Sequence, residues 1–175
     1  MKMNRKALIV VDMQEVCVGK NHAECFQYPD SLLPTVNQII DKNKENIVIY
    51  IRNIMKKNTI NKFAPFQAYE GSKEVELVEG LHIVSDNIFD KYTGDAFSNG
   101  ELTAFLQRNE VEEVEIVGVD GGGCVPLTAF GAIKNGYKVI INTKGVGTMF
   151  TKKHDSFFKK LEKKGVTITS VTSVV

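Results

Sequence analysis

The strongest constraint on the fold is a short run that is apolar at every position, Ala7-Leu8-Ile9-Val10-Val11, closed by Asp12. A strand with one wet face would alternate polar and apolar residues. One that is apolar on both faces suits the centre of a parallel sheet covered by helices. Residues 47–51 and 114–119 read as further strands, 82–84 and 87–89 flank a turn, and residues 138–142 and 166–174 close the series. Helical stretches alternate with these strands. Residues 31–44 are opened by Ser31 as a cap, carry Pro34 in the first turn where a missing N–H is harmless, and place Leu32, Leu33, Val36, Ile39 and Ile40 on one face. Further helices are predicted over residues 100–108 and 126–135, and from Thr151 as a cap to Lys164. Strands alternating with helices predict an α/β fold, a Rossmann-like, doubly wound three-layer α/β/α domain over residues 1–175 with a mostly parallel sheet of about six strands.

In such sheets ligands lie beyond the carboxyl ends of the strands. Asp12 falls there after the first strand, and Cys124 falls there in Gly118-Val119-Asp120-Gly121-Gly122-Gly123-Cys124-Val125-Pro126, after a strand and before a helix. A helix start offers unpaired N–H groups and a positive dipole end, which favour thiolate and can hold an oxyanion. Taken singly, a free cysteine is usually a core residue, an aspartate a turn residue and a lysine a solvated charge. Catalysis needs a base and a cation brought to the thiol, and the candidate cation is Lys91, in Phe89-Asp90-Lys91-Tyr92-Thr93-Gly94-Asp95-Ala96-Phe97.

Together these blocks resemble the cysteine hydrolase (isochorismatase-like) superfamily, which includes nicotinamidases and N-carbamoylsarcosine amidohydrolase. Residues 7–14 look like its opening signature, an apolar strand followed by D-x-Q; Lys91 with Asp95-Ala96-Phe97 and Gly100-Glu101-Leu102 is similar to its lysine block. Val117-Gly118 through Cys124-Val125, with Thr128-Ala129 and Gly136, resembles its nucleophile block. The resemblance implies Asp12 as base, Lys91 as its electrostatic partner and Cys124 as nucleophile. It also implies a non-proline cis peptide at Val119–Asp120 and an oxyanion hole from the backbone N–H groups of Asp120 and Cys124. Gln14, Tyr92 and Phe97 are candidates for substrate contact, the two aromatics hinting at a flat or apolar acyl group. Cys124 is expected to alkylate ahead of Cys17 and Cys25, with Asp12 opposing its ionisation.

The chain also departs from the pattern. Gly121-Gly122-Gly123 fills the space where the family often has a Thr-Asp or similar pair. Where metal-dependent nicotinamidases carry D-x-H, this chain has Ile51-Arg52-Asn53-Ile54-Met55, and His22, His82 and His154 are scattered. No metal and no cofactor is therefore expected. The reading is a cysteine-dependent hydrolase of a small-molecule carboxamide, working through a thioester. The alternatives are a hydrolase of a non-amide bond on the same fold, or a catalytically silent binding protein.

Other motifs fail on spacing. A dinucleotide loop through Gly121 and Gly123 would need glycine at Pro126, and Cys17, His22 and Cys25 match no zinc pattern. Lys159-Lys160 and Lys163-Lys164 fit a solvated helix face. A net charge of +1 leaves no footprint for nucleic acid or an anionic membrane, and 43% hydrophobic with 25% charged residues is ordinary for a globular enzyme. Three cysteines without a disulfide framework fit a reducing, cytoplasmic location, and a homodimer or homotetramer is expected. The mouth above Asp12 is expected from the irregular residues 16–30. The first half of residues 53–80, with Lys56, Lys57 and Lys62, is expected to be a surface excursion.

Overall fold

The computed structural model describes residues 5–171, in which the apolar runs become the middle of one sheet. Strands β1 (Arg5–Val11), β2 (Ile47–Asn53), β3 (Ile88–Lys91), β4 (Val111–Val119), β5 (Lys138–Gly147) and β6 (Thr167–Thr169) lie in the order β3-β2-β1-β4-β5-β6. Every neighbouring pair is parallel. The helices are α1 (Glu15–Val18), α2 (Leu32–Asn43), α3 (Gly100–Arg108), α4 (Cys124–Lys134) and α5 (Thr151–Lys163).

Strand periodicity explains the layers. Ala7, Ile9 and Val11 face one core with Leu102 and Leu106 of α3, Ala129 and Ala132 of α4, and Phe158 and Leu161 of α5. Leu8 and Val10 face the other, with Val36, Ile39 and Ile40 of α2. Residues Ala7 to Val11 of β1 are buried and apolar throughout, and the first polar side chain after them is Asp12, where the strand ends. Trimming one such fully buried side chain, for example Ile9→Ala, removes about 2–5 kcal/mol.

Several sequence boundaries shift. β4 starts at Val111 and β5 runs to Gly147, the extra length pairing Gly118 and Val119 with Val146 and Gly147. Helix α4 starts at Cys124, so Pro126 sits inside its first turn, and the segment of residues 16–30 opens inside the single turn α1, which begins at Glu15. Ser31 occupies the cap position of α2 but makes no capping hydrogen bond, and Thr151 is the first residue of α5 rather than its cap. Asn99 does cap α3, its side chain accepting the Glu101 N–H at 2.9 Å. The closing strand is shorter than residues 166–174, and positions 172–174 lie outside the described residues. Among the described residues no helix is long and apolar enough to cross a membrane.

In this strand order the chain reverses direction across the sheet between the adjacent strands β1 and β4, and open α/β sheets bind ligands at that switch point. Asp12 leaves β1 and Cys124 follows β4 at the same edge.

Candidate active site

Three side chains from separate segments meet at the switch point. Lys91, the last residue of β3, reaches past the end of β2 and donates to Asp12 Oδ2 at 3.0 Å, Cys124 Sγ at 3.2 Å and the Thr93 carbonyl at 3.1 Å. Its side chain is 0% exposed and that of Asp12 6%. All three ammonium protons are thus committed, which a buried charge requires. Asp12 sits at φ 53°, in the left-handed region, as the chain turns off the strand. Its second oxygen, Oδ1, is buried without a hydrogen-bond partner. A carboxylate with one oxygen held by a cation and the other free beside a thiol is arranged to accept a proton.

The electrostatics correct one sequence expectation. The helix start and Lys91 both favour thiolate, but burial and then the Asp12 charge outweigh them and push the Cys124 thiol up to about 12. At rest the sulfur keeps its proton. Burial pulls Lys91 down, yet the Asp12 carboxylate and the adjoining sulfur leave it above the ordinary lysine range, so it stays an ammonium. Cys17 is pushed well up by burial and by the neighbouring Asp12 charge.

The loop before Cys124 is held by the carboxylate of Asp120. Its Oδ1 accepts the Gly122 N–H at 2.6 Å, and its Oδ2 accepts the Met149 N–H at 2.7 Å and the Tyr28 hydroxyl at 3.2 Å. The Val119–Asp120 peptide is cis. The N–H groups of Asp120 and Cys124 have no hydrogen-bond partner among the described residues. Two of the three glycines have a steric reason. A Cβ on Gly121 would collide with the Thr148 hydroxyl, and one on Gly122 with the Phe150 carbonyl. Only a bare backbone lets the segment after β5 close over this loop.

Beside the cluster lies a cavity of about 260 Å³, whose walls include Phe26, Phe66, Met149 and Phe150 along with Asp12 and Cys124. Residues 16–30 line it as expected. The excursion after β2 does more than cover the surface: Lys56, Lys57 and Lys62 are exposed, but Pro65, Phe66 and Ala68 return to form a wall. Cys17 and Cys25 line the same cavity, so all three cysteines of the chain do.

Of the other candidates, Gln14 lines the cavity but is fully engaged. Its Nε2 donates to the Asn53 and Val75 carbonyls at 3.2 and 2.9 Å, and its Oε1 accepts the Asn53 N–H at 2.8 Å. It pins the end of β2 and leaves nothing for a ligand. Tyr92 and Phe97 are corrections, since neither lines the cavity. Tyr92 is 51% exposed with Lys56 over its ring, and Phe97 is packed in the core against Tyr137. Nearness to Lys91 in sequence does not place a side chain in the cavity: Lys91 reaches Asp12 and Cys124, while Tyr92 faces solvent and Phe97 the core. Tyr28 and the aromatic walls carry no mark in the sequence, and Asn53 stands out there only within the stretch that replaces D-x-H. They come from segments far apart in the chain, and no local pattern marks them.

The fold and site thus define a doubly wound α/β protein carrying a buried Asp-Lys-Cys cluster beside a small apolar cavity. The isochorismatase domain family matches residues 6–173, and the chain belongs to that family. It is 26% identical to isochorismatase family protein 2A of Dictyostelium discoideum over 157 residues, covering 83% of this chain and 75% of the relative. It is 23% identical to a probable inactive nicotinamidase of Arabidopsis thaliana over 145 residues, covering 75% and 74%. The crystal structure of the Pyrococcus horikoshii pyrazinamidase in complex with zinc superposes with a TM-score of 0.82 at 24% identity, covering 95% of this chain and 99% of that one. The residues here do not fit such an ion. Among the described residues no three His, Cys, Asp or Glu side chains form a group that could hold a metal, and Asn53 rather than an acid ends β2.

Proposed function

We propose that this member of the family hydrolyses the carboxamide of a small, largely apolar acyl group, with Cys124 as nucleophile and Asp12 as the proton carrier. The observation that carries the reading is the buried ammonium of Lys91, bonded at once to Asp12 Oδ2 and to Cys124 Sγ at the wall of the cavity. As the sulfur attacks the carbonyl carbon, its proton passes to Asp12, and the thiolate and the neutral acid form together. This sequence suits a thiol pushed up to about 12, because the charge that holds the proton on is removed by the transfer itself. Lys91 then balances the sulfur where it had balanced the carboxylate. The tetrahedral oxyanion is received by the N–H groups of Asp120 and Cys124, and one such donor is worth on the order of 3 kcal/mol in the transition state. Collapse of the intermediate breaks the C–N bond, and Asp12 returns the proton to the departing ammonia or amine. Water that gives its proton to the same carboxylate then cleaves the thioester. No histidine takes part: His154 is stacked on Phe158 and makes no contact with the cluster.

The test is ammonia release from a panel of small neutral carboxamides, with Cys124→Ala as control and the thioester sought by intact-mass analysis after rapid acid quench. Ammonia release lost in Cys124→Ala supports the reading. Ammonia release that survives the substitution would refute Cys124 as the nucleophile. Binding without turnover would make this a silent relative, a reading that the name of the Arabidopsis protein keeps in play.

A further inference from the structure

We propose that Asn53 is the specificity-determining residue of this cavity, selecting neutral ligands with one hydrogen-bonding group beyond the scissile carboxamide. The proposal rests on the reading above for the placement of that carboxamide at Cys124.

Most polar side chains in the wall are already engaged. Gln14 is spent on the Asn53 and Val75 backbone. The Tyr28 hydroxyl donates to Asp120, whose own oxygens also hold Gly122 and Met149. Asp12 gives one oxygen to Lys91 and keeps the other beside the thiol. Asn53 differs. It lines the cavity, and its backbone is clamped on both sides by Gln14, yet its side-chain amide has no hydrogen-bond partner among the described residues. A primary amide carries two donors and an acceptor on a group without charge. Set in walls that are otherwise mostly apolar, it rewards a ring nitrogen, carbonyl or hydroxyl and is left unpaired by a plain hydrocarbon. Sites built to pair a ligand polar group discriminate strongly against analogues that lack it.

The same walls exclude charge. Asp12 and Asp120 are the acids in the lining, no lysine or arginine lines it, and the protons of Lys91 are all engaged. A carboxylate on the acyl group would enter with no counter-charge and next to two acids. The ligand class is therefore a neutral carboxamide with one polar atom on its acyl group, small enough for about 260 Å³.

The experiment compares binding of benzamide, pyridine-3-carboxamide, 3-hydroxybenzamide and 3-carboxybenzamide by calorimetry to the Cys124→Ala protein, with and without Asn53→Leu. Turnover of the same compounds is measured separately on protein that keeps Cys124. At least one of the two neutral polar amides should bind about tenfold more tightly than benzamide, and Asn53→Leu should erase that preference while leaving benzamide affinity intact. The 3-carboxybenzamide should bind neither protein. Asn53→Ala should erase the same preference, and serves if the leucine variant misfolds. A preference unchanged by both substitutions, tight binding of the carboxylate, or no binding of any neutral amide overturns the proposal. Binding that follows the expected pattern without ammonia release would leave Asn53 in its role and overturn the hydrolytic reading instead.

Discussion

Asp12→Asn is expected to move two reactions of Cys124 in opposite directions. The substitution keeps the shape of the side chain and removes the charge that, after burial, does most to hold the proton on sulfur. The Lys91 bonds of 3.0 and 3.2 Å place Asp12 Oδ2 and Cys124 Sγ within about 6 Å of each other. At an effective dielectric of about 20, two unit charges at that separation interact by about 3 kcal/mol, equivalent to about two pKa units. The thiol should therefore fall from about 12 toward about 10, since Lys91 now faces the sulfur alone. At pH 8 the thiolate population rises about a hundredfold. A less basic thiolate is a poorer nucleophile, and a Brønsted coefficient near 0.45 takes back about a factor of eight. Alkylation by iodoacetamide, followed by peptide mass spectrometry, should thus run about tenfold faster at Cys124 in Asp12→Asn. Amide hydrolysis should fall by orders of magnitude for want of a proton carrier. Cys25, in the same cavity wall, serves as the internal control for access. Alkylation of Cys124 that is unchanged or slower, with Cys25 labelling and the far-ultraviolet spectrum unaltered, would refute the view that Asp12 keeps the resting sulfur protonated.

Lys91→Met leaves the Asp12 carboxylate buried and unpaired, so urea unfolding should show a loss of about 3–5 kcal/mol, and adding Asp12→Asn should restore part of it. Gln14→Leu strips three hydrogen bonds from the ends that it joins, and should cost about 3 kcal/mol in the same assay, with faster hydrogen exchange at the Asn53 amide. Folding raises the Cys124 thiol from about 9 to about 12, so between those values the unfolded chain has lost a proton that the folded one keeps. Stability must then drop as pH rises through that window, and the melting temperature of Cys124→Ala should decline less steeply there than that of the native chain.

The sheet was legible because burial on both faces of a strand leaves a mark at every position, as in residues 7–11, and because the polar residue that ends such a run must lie at the sheet edge. That placed Asp12, and the strand-glycine-helix passage placed Cys124 beside it. Lys91 became meaningful only through the resemblance of its flanking residues, since nothing local distinguishes a buried lysine from a solvated one. What tertiary structure alone decided is who meets whom. Lys91 crosses the end of β2 to reach Asp12, Gln14 is consumed by the backbone of Asn53, and Tyr92 and Phe97 turn away from the cavity although they flank the lysine in sequence. The sign of the thiol's ionisation belongs there too. A helix start argues for thiolate, but burial and a carboxylate brought from a strand more than a hundred residues earlier argue more strongly against it. Periodicity and chain turns are local and so are written locally. Walls, charges and free hydrogen-bonding groups depend on distances between segments, and those distances exist only once the chain has folded.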